Sequence, residues 1–339
     1  MAIAPWWSLI MAGALSALLA WPLRTWLLAR NIVDRPGHRR SHHAPTPRGG
    51  GLAMAAAMLC VVVPAAGLDG DFVPVLILIM ALALLGWVDD VRDLPVRWRL
   101  LYQVLIALFM LWFTGPVSSI TVGDLGLTLP WLWSALGVVA VVWLINLHNF
   151  MDGSDGLAAM QGAWTGLVLG MLLYRHDLHT PALAGFVLSG ACLGFLWWNR
   201  PPARMFMGDS GSVTLGGLVG LLALSGAAEG TVSIWVSLIV CSLFVVDATA
   251  TLLRRVLRGG RWYTPHRQHA YQLLIARGWR HVQVLTLYLL VNVLVVLPVL
   301  LLALRFPAWD MALAIGLTAV LAAAWGVVQG ATKKENLTR

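Results

Sequence analysis

Residues 131–158 read WLWSALGVVAVVWLINLHNFMDGSDGLA. From Trp131 to Ile145 the one polar side chain besides tryptophan is Ser134. The apolar residues do not alternate with polar ones as a half-buried strand requires, and the run is long enough for a membrane-spanning helix. It ends on Asn146, His148, Asn149, Asp152 and Asp155. A hydrophobic span thus carries a dense group of polar side chains to one membrane face.

Outward from this stretch, similar runs recur at about 5–29, 52–68, 72–88, 99–115, 157–174, 181–198, 213–228, 231–252, 282–304 and 308–329. With 131–149 they make about eleven spans. Of the 339 residues, 59% are hydrophobic and 11% charged, against about 25% charged in soluble domains. A soluble enzyme, a small secreted domain and a disordered chain are excluded. Continuous runs mean helices rather than a barrel. The fold expected is an all-α polytopic membrane protein, one integral domain over 1–330 with a short tail at 331–339. The first run has no basic residue before it and reads as a span rather than a cleaved signal. Cys60, Cys192 and Cys241 lie in apolar stretches and read as small core residues.

The chain has a net charge of +8, and its placement matters more than its size. Sorted by connection, 21 of the 23 basic residues fall on one side of the spans; Arg175 and Arg305 are the exceptions. The positive-inside rule puts that side, with the C-terminus, in the cytoplasm and the N-terminus in the periplasm of a bacterial inner-membrane protein. The basic excess is then a topology signal, with a role at anionic headgroups, and not a sign of nucleic acid. The 18 tryptophans, many near span ends, read as an interfacial belt.

Acidic residues gather on the same side. Asp89, Asp90 and Asp93 end the third span, and carboxylates there repel one another and oppose the helix dipole. A divalent cation or a basic neighbour such as Arg92 or Arg97 would offset that cost. Asn146, Asn149 and Asp152 share a face if their helix continues, and they offer oxygen ligands to a hard cation. Asn199–Ser212 leads into a helix that Ser210 or Ser212 can cap, with its N-terminal amides suited to a phosphate and Asp209 to Mg²⁺. Gly49, Gly50 and Gly51, after Arg48, free the backbone to approach a ligand. His266 and His269 lie three apart in the longest loop, and Asp247 is an acid at mid-depth in the ninth span. Oxygen ligands, arginines and histidines at one membrane edge suit Mg²⁺-dependent phosphoryl transfer on a lipid phosphate. Without a tight Cys/His cluster, zinc is disfavoured.

Five segments, 34–51, 89–93, 146–158, 206–212 and 266–272, together resemble the polyprenyl-phosphate N-acetylhexosamine-1-phosphate transferases of glycosyltransferase family 4. The resemblance implies ten or eleven helices around a cytoplasm-facing cleft. It implies transfer of a sugar-1-phosphate from a UDP-N-acetyl sugar to undecaprenyl phosphate, with release of UMP. On matching motifs, Asp209 resembles the principal Mg²⁺ ligand, with Mn²⁺ as a substitute, and Asn149 and Asp152 stand beside it. Asp89 resembles the residue proposed to activate the lipid phosphate, Asp90 its support, and Asp155 a further nucleotide-sugar residue. Phe206 is placed against uracil, Arg48 near the nucleotide, Asn146 and Arg267 on the substrate, and His266 and His269 near the phosphates. The partners implied are the two substrates and membrane lipid, with a homodimer allowed and no nucleic acid. The pentapeptide transferase of this superfamily carries three consecutive histidines where this chain has His266-Arg267-Gln268-His269. With Phe150-Met151-Asp152, that points to the branch initiating O-antigen or capsule, and peptidoglycan synthesis becomes the alternative. A secondary transporter is the reading from another class.

Overall fold

The computed structural model describes residues 5–34, 45–123, 125–259 and 266–335. Most of the segment at 34–51 therefore lies outside the described residues, including His38 and His43. Helices dominate, and among the described residues ten are long and apolar enough to cross a membrane. An eleventh apolar helix, α2 (Gly51–Leu68), is shorter by that measure over its described part, Gly51–Ala65. The protein is an all-α, multi-pass membrane protein.

The described residues form two compact units. The first holds α1 (Pro5–Ala29), α2, α3 (Val73–Arg92), α4 (Val96–Thr114), α5 (Pro130–Phe150), α6 (Leu157–Arg175), α7 (His179–Asn199) and α8 (Asp209–Ala228). A two-residue strand β1 (Val33–Asp34) pairs antiparallel with β2 (Thr46–Pro47), Val33 opposite Pro47. α8 packs against α2, α3, α4, α5, α6 and α7. Its glycines explain how one helix reaches so many neighbours: a Cβ at Gly216 would stand 2.6 Å from the Leu144 carbonyl oxygen on α5. In lipid the hydrophobic effect does not drive helices together, so small residues that permit backbone contact take over.

Two boundaries differ from the sequence expectation in ways that matter for the site. α3 runs through Asp89 and Asp90 to Arg92, and stops where Asp93 turns left-handed at φ 47°. Asp89 and Asp90 are helical, as the end of a span requires, and Asp93 lies past the helix and off the face of Asp89. α5 ends at Phe150, so Asp152 leaves the helical face of Asn146 and Asn149, its amide held by the Asn149 carbonyl at 3.3 Å.

The second unit holds α9 (Ile234–Leu257), α10 (Ala270–Ala276), α11 (His281–Val291), a π-helical turn at Asn292–Val296, α12 (Leu297–Arg305) and α13 (Asp310–Glu335). α9 packs on α12 and α13. The final helix continues five residues into the expected tail.

Candidate active site

The acidic motif of α3 meets the N-terminus of α8. Gly86 makes the approach possible, because a Cβ there would collide with the Asp209 backbone carbonyl. Four residues later, Asp90 receives the amides of Asp209 at 2.8 Å and Ser210 at 3.0 Å. It also pairs with Arg48 Nε at 2.8 Å, and its side chain is only 1% exposed. The α8 amides expected to bind a phosphate are thus taken by a carboxylate from another helix. The cap is Asp90, not Ser210 or Ser212, which both lie inside the helix. This geometry makes Asp90 a positioning residue rather than a group that meets substrate.

Arg48 joins the same cluster from β2's end. Its guanidinium reaches Asp209 Oδ1 at 2.6 Å, and both carboxylates favour its charge against the cost of burial. The triglycine after Arg48 serves the protein itself. Gly50 N–H donates to Phe206 O at 2.9 Å and Gly51 N–H to Met207 O at 2.8 Å, while a Cβ on Gly51 would strike Gly211. These glycines approach the chain entering α8 and not a ligand. Phe206 is half-buried in the segment zipped to Pro47 and Gly50.

Asp89 is tied through both oxygens, to Leu94 N–H at 2.8 Å and to Arg99 Nη1 at 2.9 Å. Neither Arg92 nor Arg97 is its partner. Arg99 and Gln103 are site residues that the motifs missed. Gln103 accepts from Asn146 Nδ2 at 2.6 Å. Their signal was a polar pair four residues apart on an apolar helix, Arg99 and Gln103, facing the acidic end of its neighbour. Leu85, Gly86, Asp89, Arg99, Gln103, Asn146, Asn149, Asp209 and Val213 line one narrow cleft, with room for about one water-sized occupant.

Asn149 donates to Ser212 Oγ at 3.1 Å, which leaves its amide oxygen without a partner among the described residues. Asp152 lies within reach of the Asp209 charge, and burial followed by Asp209 pushes its carboxyl well above the usual range, with Arg48 opposing. Asp155 faces elsewhere: its Oδ2 accepts the Ala203 amide at 2.9 Å and holds the α7–α8 loop. His148 is a core residue, Nδ1 bonded to Leu144 O at 2.8 Å.

The donor set fits a hard cation. Among the described residues no three His, Cys, Asp or Glu side chains form a closed metal cage. Asp89 and Asp209 lie side by side at the cleft with Asn149. That open arrangement suits Mg²⁺, which keeps waters and substrate oxygens in its shell. Without counting Asp152, Asp89, Asp90 and Asp209 against Arg48 and Arg99 leave a formal surplus of one negative charge in this cluster.

In the second unit Asp247 explains the histidine motif. Its carboxylate receives Ala270 N–H at 2.9 Å, capping α10, and the Tyr288 hydroxyl at 3.0 Å. His269 Nδ1 lies 3.5 Å away, and its ring stacks on Tyr271. Asp247, the acid at mid-depth in the ninth span, is therefore paired with polar neighbours. The His266 ring is centred 4.9 Å from that of His269. Burial, then His269 and Arg255, pulls the His266 imidazole down to about 4. Arg267 between them is exposed.

A model of glycosyl transferase family 4 matches residues 72–227, from the start of α3 to the end of α8. The phospho-N-acetylmuramoyl-pentapeptide-transferase of a Synechococcus strain is 33% identical over 300 residues, covering 82% of this chain and 85% of that protein. Its counterpart from a Picosynechococcus strain is 34% identical over 269 residues, 74% of this chain and 72% of that one. The decaprenyl-phosphate N-acetylglucosaminephosphotransferase of Mycolicibacterium smegmatis is 33% identical over 332 residues, 84% and 80%. These relatives overturn the O-antigen or capsule expectation. That expectation leaned on two short loop features, Phe150-Met151 and the spaced histidines, whereas similarity across the helical body favours the pentapeptide transferases. Matched over at least four fifths of both chains by two of these relatives, the protein belongs to glycosyl transferase family 4, as an inner-membrane enzyme of the polyprenyl-phosphate sugar-phosphate transferases.

Proposed function

We propose that the protein transfers phospho-N-acetylmuramoyl-pentapeptide from its UDP-linked donor to a polyprenyl phosphate, with Mg²⁺, at the cytoplasmic face. The observation that carries the reading is 33% identity with a protein of that name over 82% of the chain. In the reaction an oxygen of the lipid phosphate bonds to the sugar-bearing phosphorus, and the bond from that phosphorus to UMP breaks. A lipid phosphate is already ionised near pH 7, so no strong base is required.

Asp209, Asp89 and the Asn149 amide oxygen hold the cation in this proposal, with Asp152 beside them. When bound, Mg²⁺ supplies charge neutralisation at phosphate oxygens. Arg48 and Arg99 orient those carboxylates. Asn146, its Nδ2 held by Gln103 and the Val142 carbonyl, presents its amide oxygen to the substrate. Phe206 is assigned to the uracil, while in the second unit Asp247 holds the segment that carries His266, Arg267 and His269.

The test is UMP release by purified protein with Mg²⁺ and undecaprenyl phosphate. One arm supplies UDP-N-acetylmuramoyl-pentapeptide, the other UDP-N-acetylglucosamine, the sugar in the mycobacterial relative's name. Turnover of the pentapeptide donor is expected. Turnover confined to UDP-N-acetylglucosamine overturns the donor, and activity unchanged by chelation overturns the metal.

A further inference from the structure

Where α7 leaves the bundle, Arg200 stacks on Trp197 with its guanidinium carbon 4.2 Å from the ring centroid. Arg204 lies 5.5 Å from the same ring and 5.4 Å from Trp198. Arg24 of α1 reaches the Arg204 carbonyl with Nε at 3.2 Å. Three guanidiniums therefore gather at one end of the α1–α7 pair. None of them has a carboxylate partner among the described residues. The neighbouring Asp155 is committed to the Ala203 amide.

The frame beneath them is rigid. Trp198 Nε1 donates to Ala17 O at 2.9 Å, pinning α7 to α1. Arg204 N–H donates to Trp198 O at 2.8 Å, and its Nη2 to Trp197 O at 3.1 Å. Stacked guanidiniums keep their N–H edges free for an anion, and the aromatic face reduces their need for water.

Below the arginines the surface is apolar. On α7, Leu193 and Trp197 are 48% and 53% exposed, one helical turn apart. On α1, Leu18 and Trp21 are 69% and 66% exposed, and Arg24 follows Trp21 by three residues. In a spanning helix such faces meet acyl chains. A tail-facing strip that ends in unpaired guanidiniums and an interfacial tryptophan has the polarity of one phospholipid molecule.

We propose that Arg24, Arg200 and Arg204 form a binding site for the phosphodiester headgroup of an anionic phospholipid, whose chains lie along Leu18, Trp21, Leu193 and Trp197. The site is separate from the cleft at Asp89 and Asp209 and does not depend on the donor sugar.

The test titrates full-length protein in neutral detergent with dioleoyl phosphatidylglycerol and counts retained lipid by native mass spectrometry. Dioleoyl phosphatidylcholine and glycerol phosphate are parallel arms. Saturable retention of phosphatidylglycerol is expected, weakening as salt rises. Arg200→Gln/Arg204→Gln should bind about 30-fold more weakly, at roughly tenfold or less per lost cation. Each single variant should give part of that loss, which keeps the test open if the double variant does not fold. Arg305→Gln, elsewhere on the chain, should match the parent. Equal retention by parent and double variant overturns the site. So does equal retention of phosphatidylcholine, and binding of glycerol phosphate as tight as that of the lipid removes the role of the apolar strip.

Discussion

Asp90→Ala is the sharpest test of how the cleft is built. The substitution removes a carboxylate that accepts two α8 amides at 2.8 and 3.0 Å and the Arg48 guanidinium at 2.8 Å. Two helix N–H groups lose their cap, and a cation loses its most buried partner. Leaving two α8 amides without their acceptor costs about 1–3 kcal/mol each, while Arg48, 37% exposed and still paired with Asp209, adds little. At about 2–4 °C per kcal/mol for a unit of this size, the low end, about 2 kcal/mol for the two amides, lowers the melting temperature by roughly 4–8 °C. Asp209→Ala is the contrast. It leaves the α8 cap intact, removes a pair whose arginine side chain is 37% exposed, and relieves the crowding with Asp89. Its stability should stay within about 1 kcal/mol of the parent, while turnover with Mg²⁺ is lost. The assay is thermal unfolding of both variants in the same detergent, followed by intrinsic tryptophan fluorescence. A melting temperature for Asp90→Ala within 2 °C of the parent, or equal losses in both variants, refutes the reasoning.

Gly86→Ala should destabilise by about 1–3 kcal/mol and abolish turnover, because the new Cβ meets the Asp209 carbonyl and pushes α8 from α3; thermal unfolding and UMP release read the two effects. Tyr288→Phe removes one donor to the Asp247 carboxylate and should cost about 1.5–3 kcal/mol, read by chemical denaturation. His266 has a folded-state value lowered to about 4, so the unfolded chain binds the extra proton first on acidification. Its contribution is complete above about 6.5 and is lost as pH falls toward 4; His266→Gln should flatten the fall in melting temperature across that window, and an unchanged slope would count against it.

The fold class was legible from local sequence because burial in lipid is a local demand. A spanning helix must satisfy its own backbone and present apolar side chains, and both show in a run such as 131–145. The position of the site was legible for a similar reason: Asp89, Asn149 and Asp209 stand where apolar runs stop. The division of labour among those residues was not. The resemblance set Asp209 at the metal and Asp90 in support, but nothing local shows that Asp90 caps α8 from another helix while Asp209 faces the cleft. Arg99 and Gln103 looked like residues of an ordinary span until α4 placed them against Asp89 and Asn146. Asp247 stood as an unexplained acid within a span until Ala270 and Tyr288 supplied its hydrogen bonds. Sequence alone therefore determined an all-helical membrane chain with its polar groups at span ends. Tertiary structure decided which carboxylate is consumed in holding helices together and which remains available, because hydrogen-bond partners distant in the chain are assigned only when glycine-lined helices close to contact.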